Sequence, residues 1–195
     1  MDTSQAKEMF AGLEYLRLGG ERQRAAWEVL GGRGMFHALQ LYEPVLAGTI
    51  PLGIDVQGSD LDVVCRYSES EGTEGFMDNM RLLFGGEKDF SVQQRQGTDI
   101  VLCRFEKGGF PVEIYASRDE PLSSTAFRHL VVEHRILLLA PEDFKNEVIR
   151  LKNNGVKTEP AFARLLGLEG DPYDAVLLLE DYPDQKLLNL LNVLY

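Results

Sequence analysis

Asp60 and Asp62 stand one residue apart in GSDLDVV, a spacing that puts two carboxylates on one side of an extended chain. Side chains alternate along a strand, so this pair shares a face while Leu61, Val63 and Cys65 take the other. Neighbouring carboxylates repel unless one is protonated or a cation is shared between them. Oxygen ligands of this hardness suit Mg²⁺ or Mn²⁺. Taken alone, the pair reads equally as solvated acids at the mouth of an edge strand. Its surroundings favour a site. Val63-Val64-Cys65 is a buried-strand signature, and Gly48-Thr49 closes a preceding strand, with ten residues between it and Asp60. A glycine followed by a hydroxyl residue lets backbone N–H groups and the hydroxyl come close to a phosphate. FPVEIYAS (110–117) adds a third acid, Glu113, between Val112 and Ile114, on a strand able to lie beside the first.

The order Gly-[Ser/Thr], short spacer, Asp-x-Asp, then an apolar-acid-apolar strand resembles the nucleotidyltransferase superfamily with the DNA polymerase beta-like fold. More narrowly, GTIPLGIDVQGSDLDVV, FPVEIYAS, Phe127-Arg128-His129 and GVKTEPAFARLLGL are similar to a bacterial family of nucleotidyltransferase-like proteins described as a domain of unknown function. That similarity covers nearly the whole chain. It implies metal-dependent transfer of a nucleoside monophosphate from a nucleoside triphosphate to an acceptor hydroxyl. Asp60, Asp62 and Glu113 would be the catalytic and metal-binding residues, on two cations roughly 3.5–4 Å apart. Glu113 would also serve as general base, with Asp99 and Glu133 the substitutes for that third carboxylate. Gly48, Thr49, Ser59 and Lys157 would hold the nucleotide. Thr49 departs from the superfamily's usual serine, keeping the hydroxyl and adding a methyl to a tight loop. On this reading Gly48→Val should block phosphate approach while leaving the metal site formed.

The elements that must position these residues follow from periodicity. Apolar residues at helical spacing predict helices over 7–17, 21–30, 36–41, 76–84, 124–139, 141–152 and 158–166. Gly31-Gly32-Arg33-Gly34 is a turn, since no Gly-Lys-[Ser/Thr] follows it. Residues 68–75 read as loop, 89–96 and 99–106 as antiparallel strands, and Lys107-Gly108-Gly109 as the hairpin turn into the Glu113 strand. Along that strand Glu113 and Tyr115 share a face. Phe127, Leu130, Val131, His134 and Leu138 form the buried stripe of the 124–139 helix, with His134 a hydrogen-bonded core residue; Arg128 and His129 lie off the stripe and can reach the cleft. His37 is expected on the surface. Thr158 or Glu159 can cap the last of these helices, with Pro160 in its first turn. That helix start, with Lys157 beside it and Arg164 near, is either a well-capped terminus or an anion site.

The fold class expected is α+β, a mixed sheet flanked by helices with a helical C-terminal half. The division expected is a core over 1–120 and a helical region over 121–195 packed on it. At 195 residues the chain buries a substantial core. A net charge of −11 argues against broad affinity for nucleic acid, which requires a cationic surface. A small-molecule or protein acceptor fits better, cationic aminoglycosides included. No stretch has the length of a membrane span and no signal-peptide hydrophobic region is seen, so a cytoplasmic protein is expected. Cys65 and Cys103 fall in strands as buried, reduced thiols. The apolar stretch 187–195 either packs back on the domain or pairs with a second copy as a homodimer. The alternative to an enzyme is a nucleotide- or partner-binding module without catalysis, such as a toxin–antitoxin or regulatory component.

Overall fold

The computed structural model describes residues 3–192. In chain order the elements are α1 (Thr3–Ala11), α2 (Glu14–Arg17), α3 (Glu21–Leu30), α4 (Met35–Ala38), β1 (Val45–Ala47), β2 (Leu61–Arg66), α5 (Gly72–Phe84), β3 (Lys88–Gln94), β4 (Val101–Lys107) and β5 (Phe110–Ser117). The helical half follows: α6 (Thr125–Leu139), α7 (Glu142–Asn153), α8 (Thr158–Leu165), α9 (Pro172–Leu177) and α10 (Asp184–Asn192). Among the described residues the strands form one sheet of order β1-β2-β5-β4-β3. Only β2 and β5 run parallel; β1–β2, β5–β4 and β4–β3 are antiparallel. This is the α+β mixed sheet that the family resemblance implied.

Period-two alternation decides what each face of the sheet does. Leu61, Val63 and Cys65 of β2 and Val112, Ile114 and Ala116 of β5 point into one apolar layer. Phe76, Met77, Met80 and Phe84 of α5 cover that layer, as do Ala26 and Leu30 of α3. Asp62, Glu113 and Tyr115 point to the opposite face, where the helical half packs. A second apolar cluster lies there, built from Phe127, Leu130 and Val131 of α6, Phe144 and Val148 of α7 and Phe162 of α8. Cys65 and Cys103 are buried free thiols. Burial pushes the Cys103 thiol up to about 12.

Several boundaries differ from the pattern, and each difference has a tertiary cause. The 7–17 helix is broken after Ala11, because its two halves serve different cores: Phe10 belongs to the helical cluster and Leu16 to the sheet cluster. α5 begins at Gly72, in a stretch that reads as loop. There Glu71 accepts hydrogen bonds from Tyr42 Oη at 2.7 Å and Asn79 Nδ2 at 2.8 Å, which anchors a start that Gly72 and Gly75 disfavour. β2 begins at Leu61, so Asp60 lies just before the strand. On α6, Leu138 is exposed. His134 meets the Phe10 ring edge-on at 4.9 Å, but among the described residues its Nε2 has no hydrogen-bond partner, contrary to the expected hydrogen-bonded core residue. His37 is exposed, as expected.

The tail packs back. Leu187 and Leu191 of α10 are buried in the helical cluster, while residues 193–195 of the expected apolar stretch lie outside the described residues. The buried Arg135 of α6 donates to the carbonyls of Glu180 (3.0 Å) and Tyr182 (2.8 Å) and to Asp184 Oδ1 (2.8 Å), tying α6 to the start of α10. Among the described residues, no helix is long and apolar enough to cross a membrane.

Candidate functional site

A cavity of about 650 Å³ opens between the acid-bearing face of the sheet and helices α6, α8 and α9. Register assembles its floor. Asp62 of β2 is the in-register partner of Glu113 on the parallel neighbour β5, and Glu113 is opposite Arg104 on β4. A row Arg104–Glu113–Asp62 therefore crosses three strands, ending at Ala47 of β1. Asp60, at the mouth of β2, lines the same cavity. The three expected carboxylates thus meet.

Asp62 carries the electrostatic cost of this meeting. Burial, then Asp60, Glu113 and Glu159, push its carboxyl up to about 7, against the opposing pull of Lys152. Arg104 Nε donates to Glu113 Oε2 at 2.5 Å, and Nη2 lies 2.5 Å from the same oxygen. Both contacts fall on one oxygen of Glu113.

The loop between β1 and β2 shapes the near wall. Gly48 has φ +74°, and a Cβ there would meet Asp62 Oδ2 at 2.0 Å. Glycine suits this position twice: the backbone is left-handed, and any Cβ would force the Asp62 carboxylate to shift. A side chain at position 48 would force Asp62 to shift, so Gly48→Val bears on the metal site as well as on phosphate approach. The Thr49 carbonyl accepts from Leu52 N (3.2 Å) and Ile54 N (3.3 Å), and the Ser59 hydroxyl accepts from Val56 N (2.9 Å). Arg22 of α3 braces this loop: it donates to the Ser59 carbonyl (3.1 Å), pairs with Asp55 (3.2 Å) and lies over the Phe110 ring at 4.3 Å. Gly48, Thr49 and Ser59 all line the cavity. Arg22 is a positioning residue that sequence pattern did not reveal.

Lys157 is exposed at the cavity rim and is itself the N-cap of α8, with no side-chain capping bond, where Thr158 or Glu159 was expected. Arg164 is exposed and absent from the cavity lining. Lys152, in the last turn of α7, is the cation that sequence reasoning missed. Burial lowers its pKa, while Glu133, Asp55, Glu159 and Asp62 oppose that shift.

The helical wall divides the expectations for Arg128 and His129. Arg128 turns away and pairs with Glu180 at 2.7 Å. His129 is buried and lines the cavity, its ring edge-on to Tyr173 at 6.2 Å. Glu133 of α6 and Glu159 of α8 join it, with one ligand atom from each of the three all within 4.8 Å of one another. Burial, then Glu159, holds the Glu133 carboxyl well above the usual carboxylate range, against Lys152. Burial also lowers His129, with Arg128 assisting and Glu159 and Asp174 opposing. The spacing of His129 and Glu133, four apart and so on one face of α6, was the available signal. The cavity holds five carboxylates, Asp60, Asp62, Glu113, Glu133 and Glu159, against Arg104, Lys152 and Lys157.

Comparison with known proteins agrees with this architecture. Residues 28–179 match the family described as "Domain of unknown function (DUF4269)". No curated protein matches the chain. Among solved structures, the Cid1 poly(U) polymerase with Mg 3′-dATP bound is similar at 15% identity with a TM-score of 0.52, over 89% of this chain and 52% of that one. mtPAP in complex with ATPγS is similar at 11% identity with a TM-score of 0.50, over 92% of this chain and 44% of that one. The chain spans about half the length of these structures, and the likeness is one of fold. The chain belongs to the family described as a domain of unknown function, DUF4269, and carries a nucleotidyltransferase fold.

Proposed function

We propose that this chain transfers a nucleoside monophosphate from a nucleoside triphosphate to an acceptor hydroxyl. The observation that carries the reading is the in-register meeting of Asp62 and Glu113 on parallel neighbours, with Asp60 on the same cavity. The carboxylates fit a hard divalent cation, Mg²⁺ or Mn²⁺: burial, then the neighbouring acids Asp60, Glu113 and Glu159, raises Asp62 to about 7, and a shared cation offsets both the lost solvation and the repulsion. Asp60, Asp62 and Glu113 would hold it. When bound, such a cation would supply Lewis-acid stabilisation of the charge developing on the phosphates.

The chain's own residues supply the rest. Backbone N–H groups at Gly48 and Thr49, the Ser59 hydroxyl and the Lys157 ammonium orient the β- and γ-phosphates. The acceptor oxygen bonds to the α-phosphorus as the bond from that phosphorus to the bridging oxygen breaks, and the electron pair leaves with pyrophosphate. Glu113 accepts the acceptor's proton, through the oxygen that Arg104 does not occupy. The acidic cavity and the net charge of −11 favour a cationic small molecule or a protein as acceptor over nucleic acid.

A second reading, binding without catalysis, draws support from Arg104, whose guanidinium occupies Glu113. A screen separates the two: each nucleoside triphosphate with Mg²⁺ or Mn²⁺, with and without cell extract as acceptor source, read as pyrophosphate release. Release that is lost in Asp60→Asn/Asp62→Asn supports transfer. Nucleotide binding with no release under any combination supports the binding module, and neither binding nor release removes both.

A further inference from the structure

We propose that His129, Glu133 and Glu159 hold a divalent first-row transition-metal cation, such as Mn²⁺ or Zn²⁺, at a second site on the helical wall of the cavity. His129 and Glu133 are four residues apart on α6, so their side chains lie on one face a single turn apart. Glu159 reaches them from the first turn of α8. One ligand atom from each lies within 4.8 Å of the other two, a separation that small side-chain movements close around a single ion.

What points to a ligand is the state of the buried atoms. His129 is 4% exposed and Glu133 3% exposed. Among the described residues, neither nitrogen of the His129 ring nor Oε1 of Glu133 has a hydrogen-bond partner. Buried polar atoms are nearly always satisfied, and leaving several together unsatisfied is costly. A cation satisfies the imidazole and carboxylate lone pairs at once and neutralises two acids that otherwise repel. Lys152 balances their charge only from a distance: among the described residues it forms no ion pair within 4.0 Å with either acid.

The donor set selects the metal. Two carboxylates alone would suit Mg²⁺ or Mn²⁺, whereas an imidazole favours Zn²⁺ and its neighbours in the first row. Three protein ligands leave coordination positions open toward the cavity, as sites that engage a bound molecule do. These residues are separate from the sheet carboxylates, and the proposal does not rest on nucleotidyl transfer.

The test uses the full chain, stripped with chelator, in an Asp60→Asn/Asp62→Asn background that removes two of the three sheet carboxylates and leaves Glu113 alone, salt-bridged to Arg104. Calorimetric titration with Zn²⁺ and Mn²⁺, and visible absorption on Co²⁺ addition, should show one equivalent still bound. His129→Ala or Glu133→Gln in that background should weaken binding by about 100-fold or more and abolish the Co²⁺ bands. Glu159→Gln, at a half-buried position, should do the same and serves if an interior variant fails to fold. No bound equivalent in the Asp60→Asn/Asp62→Asn background, or an unchanged affinity in His129→Ala and Glu159→Gln, would overturn the assignment.

Discussion

Arg104 and Glu113 face each other across the β4–β5 ladder, with both guanidinium contacts on Glu113 Oε2. The pair is part of a row that continues to Asp62, so one cation of the chain competes with any metal for the carboxylates of the floor. Arg104→Gln should therefore raise Mn²⁺ affinity at the sheet site several-fold. Its effect on stability should stay within about 1 kcal/mol, because the guanidinium is half exposed and screened. Calorimetry checks the first and urea denaturation the second. Weaker Mn²⁺ binding would mean that Arg104 positions Glu113 rather than competing for it.

Asp62 makes the metal-free protein's stability fall with pH. Its carboxyl titrates near 7 in the fold against an ordinary 3.8, so the folded state binds the proton more firmly than the unfolded chain. Stability contributed by the protonated form is therefore lost as pH rises from about 4 to about 7, and the full cost persists above. Asp62→Asn removes that cost. It should stabilise the metal-free protein at about pH 8, by on the order of 2–4 kcal/mol at most, and change little near pH 4. Thermal unfolding at both values checks this, and saturating Mn²⁺ at the higher pH should reverse the ranking of the two proteins.

Gly48 and Asp62 should be coupled. Gly48→Ala meets two obstacles, a backbone at φ +74° and a Cβ 2.0 Å from Asp62 Oδ2. The backbone part costs about 1–2 kcal/mol and is present whatever stands at position 62. Asp62→Ala should remove only the steric part. A double-mutant cycle read by denaturant unfolding should then give a coupling of about 1 kcal/mol or more; additivity would mean that Asp62 simply swings aside.

Glu113→Gln separates enzyme from binding module. It preserves shape and removes charge and basicity. Nucleotide affinity should stay within a few-fold while transfer falls by about 10²–10⁴-fold. Single-turnover pyrophosphate release with a productive acceptor is the measurement. An equally fast variant would move the third carboxylate elsewhere, with Glu133 the first alternative on the same cavity.

Local periodicity was enough to bring out the acidic face. Alternation in SDLDVV and FPVEIYAS set Asp62, Glu113 and Tyr115 apart from Leu61, Val63, Val112 and Ile114, because strand geometry leaves a side chain only two directions. The helix boundaries of α3 and α6, and the hairpin at Gly108-Gly109, were legible for the same reason: caps, glycines and apolar spacing act within a few residues. What packing alone decided are relations between distant segments. The register that seats Arg104 on Glu113, the brace of Arg22 on the 48–60 loop, and the meeting of Glu133 with Glu159 join residues whose neighbours in the chain say nothing of one another. The break after Ala11 belongs with them, since two cores compete for one amphipathic segment. Glu159 shows the difference most clearly. By its neighbours it is a helix-start residue, and only the approach of α8 to α6 turns it into a carboxylate facing His129 and Glu133.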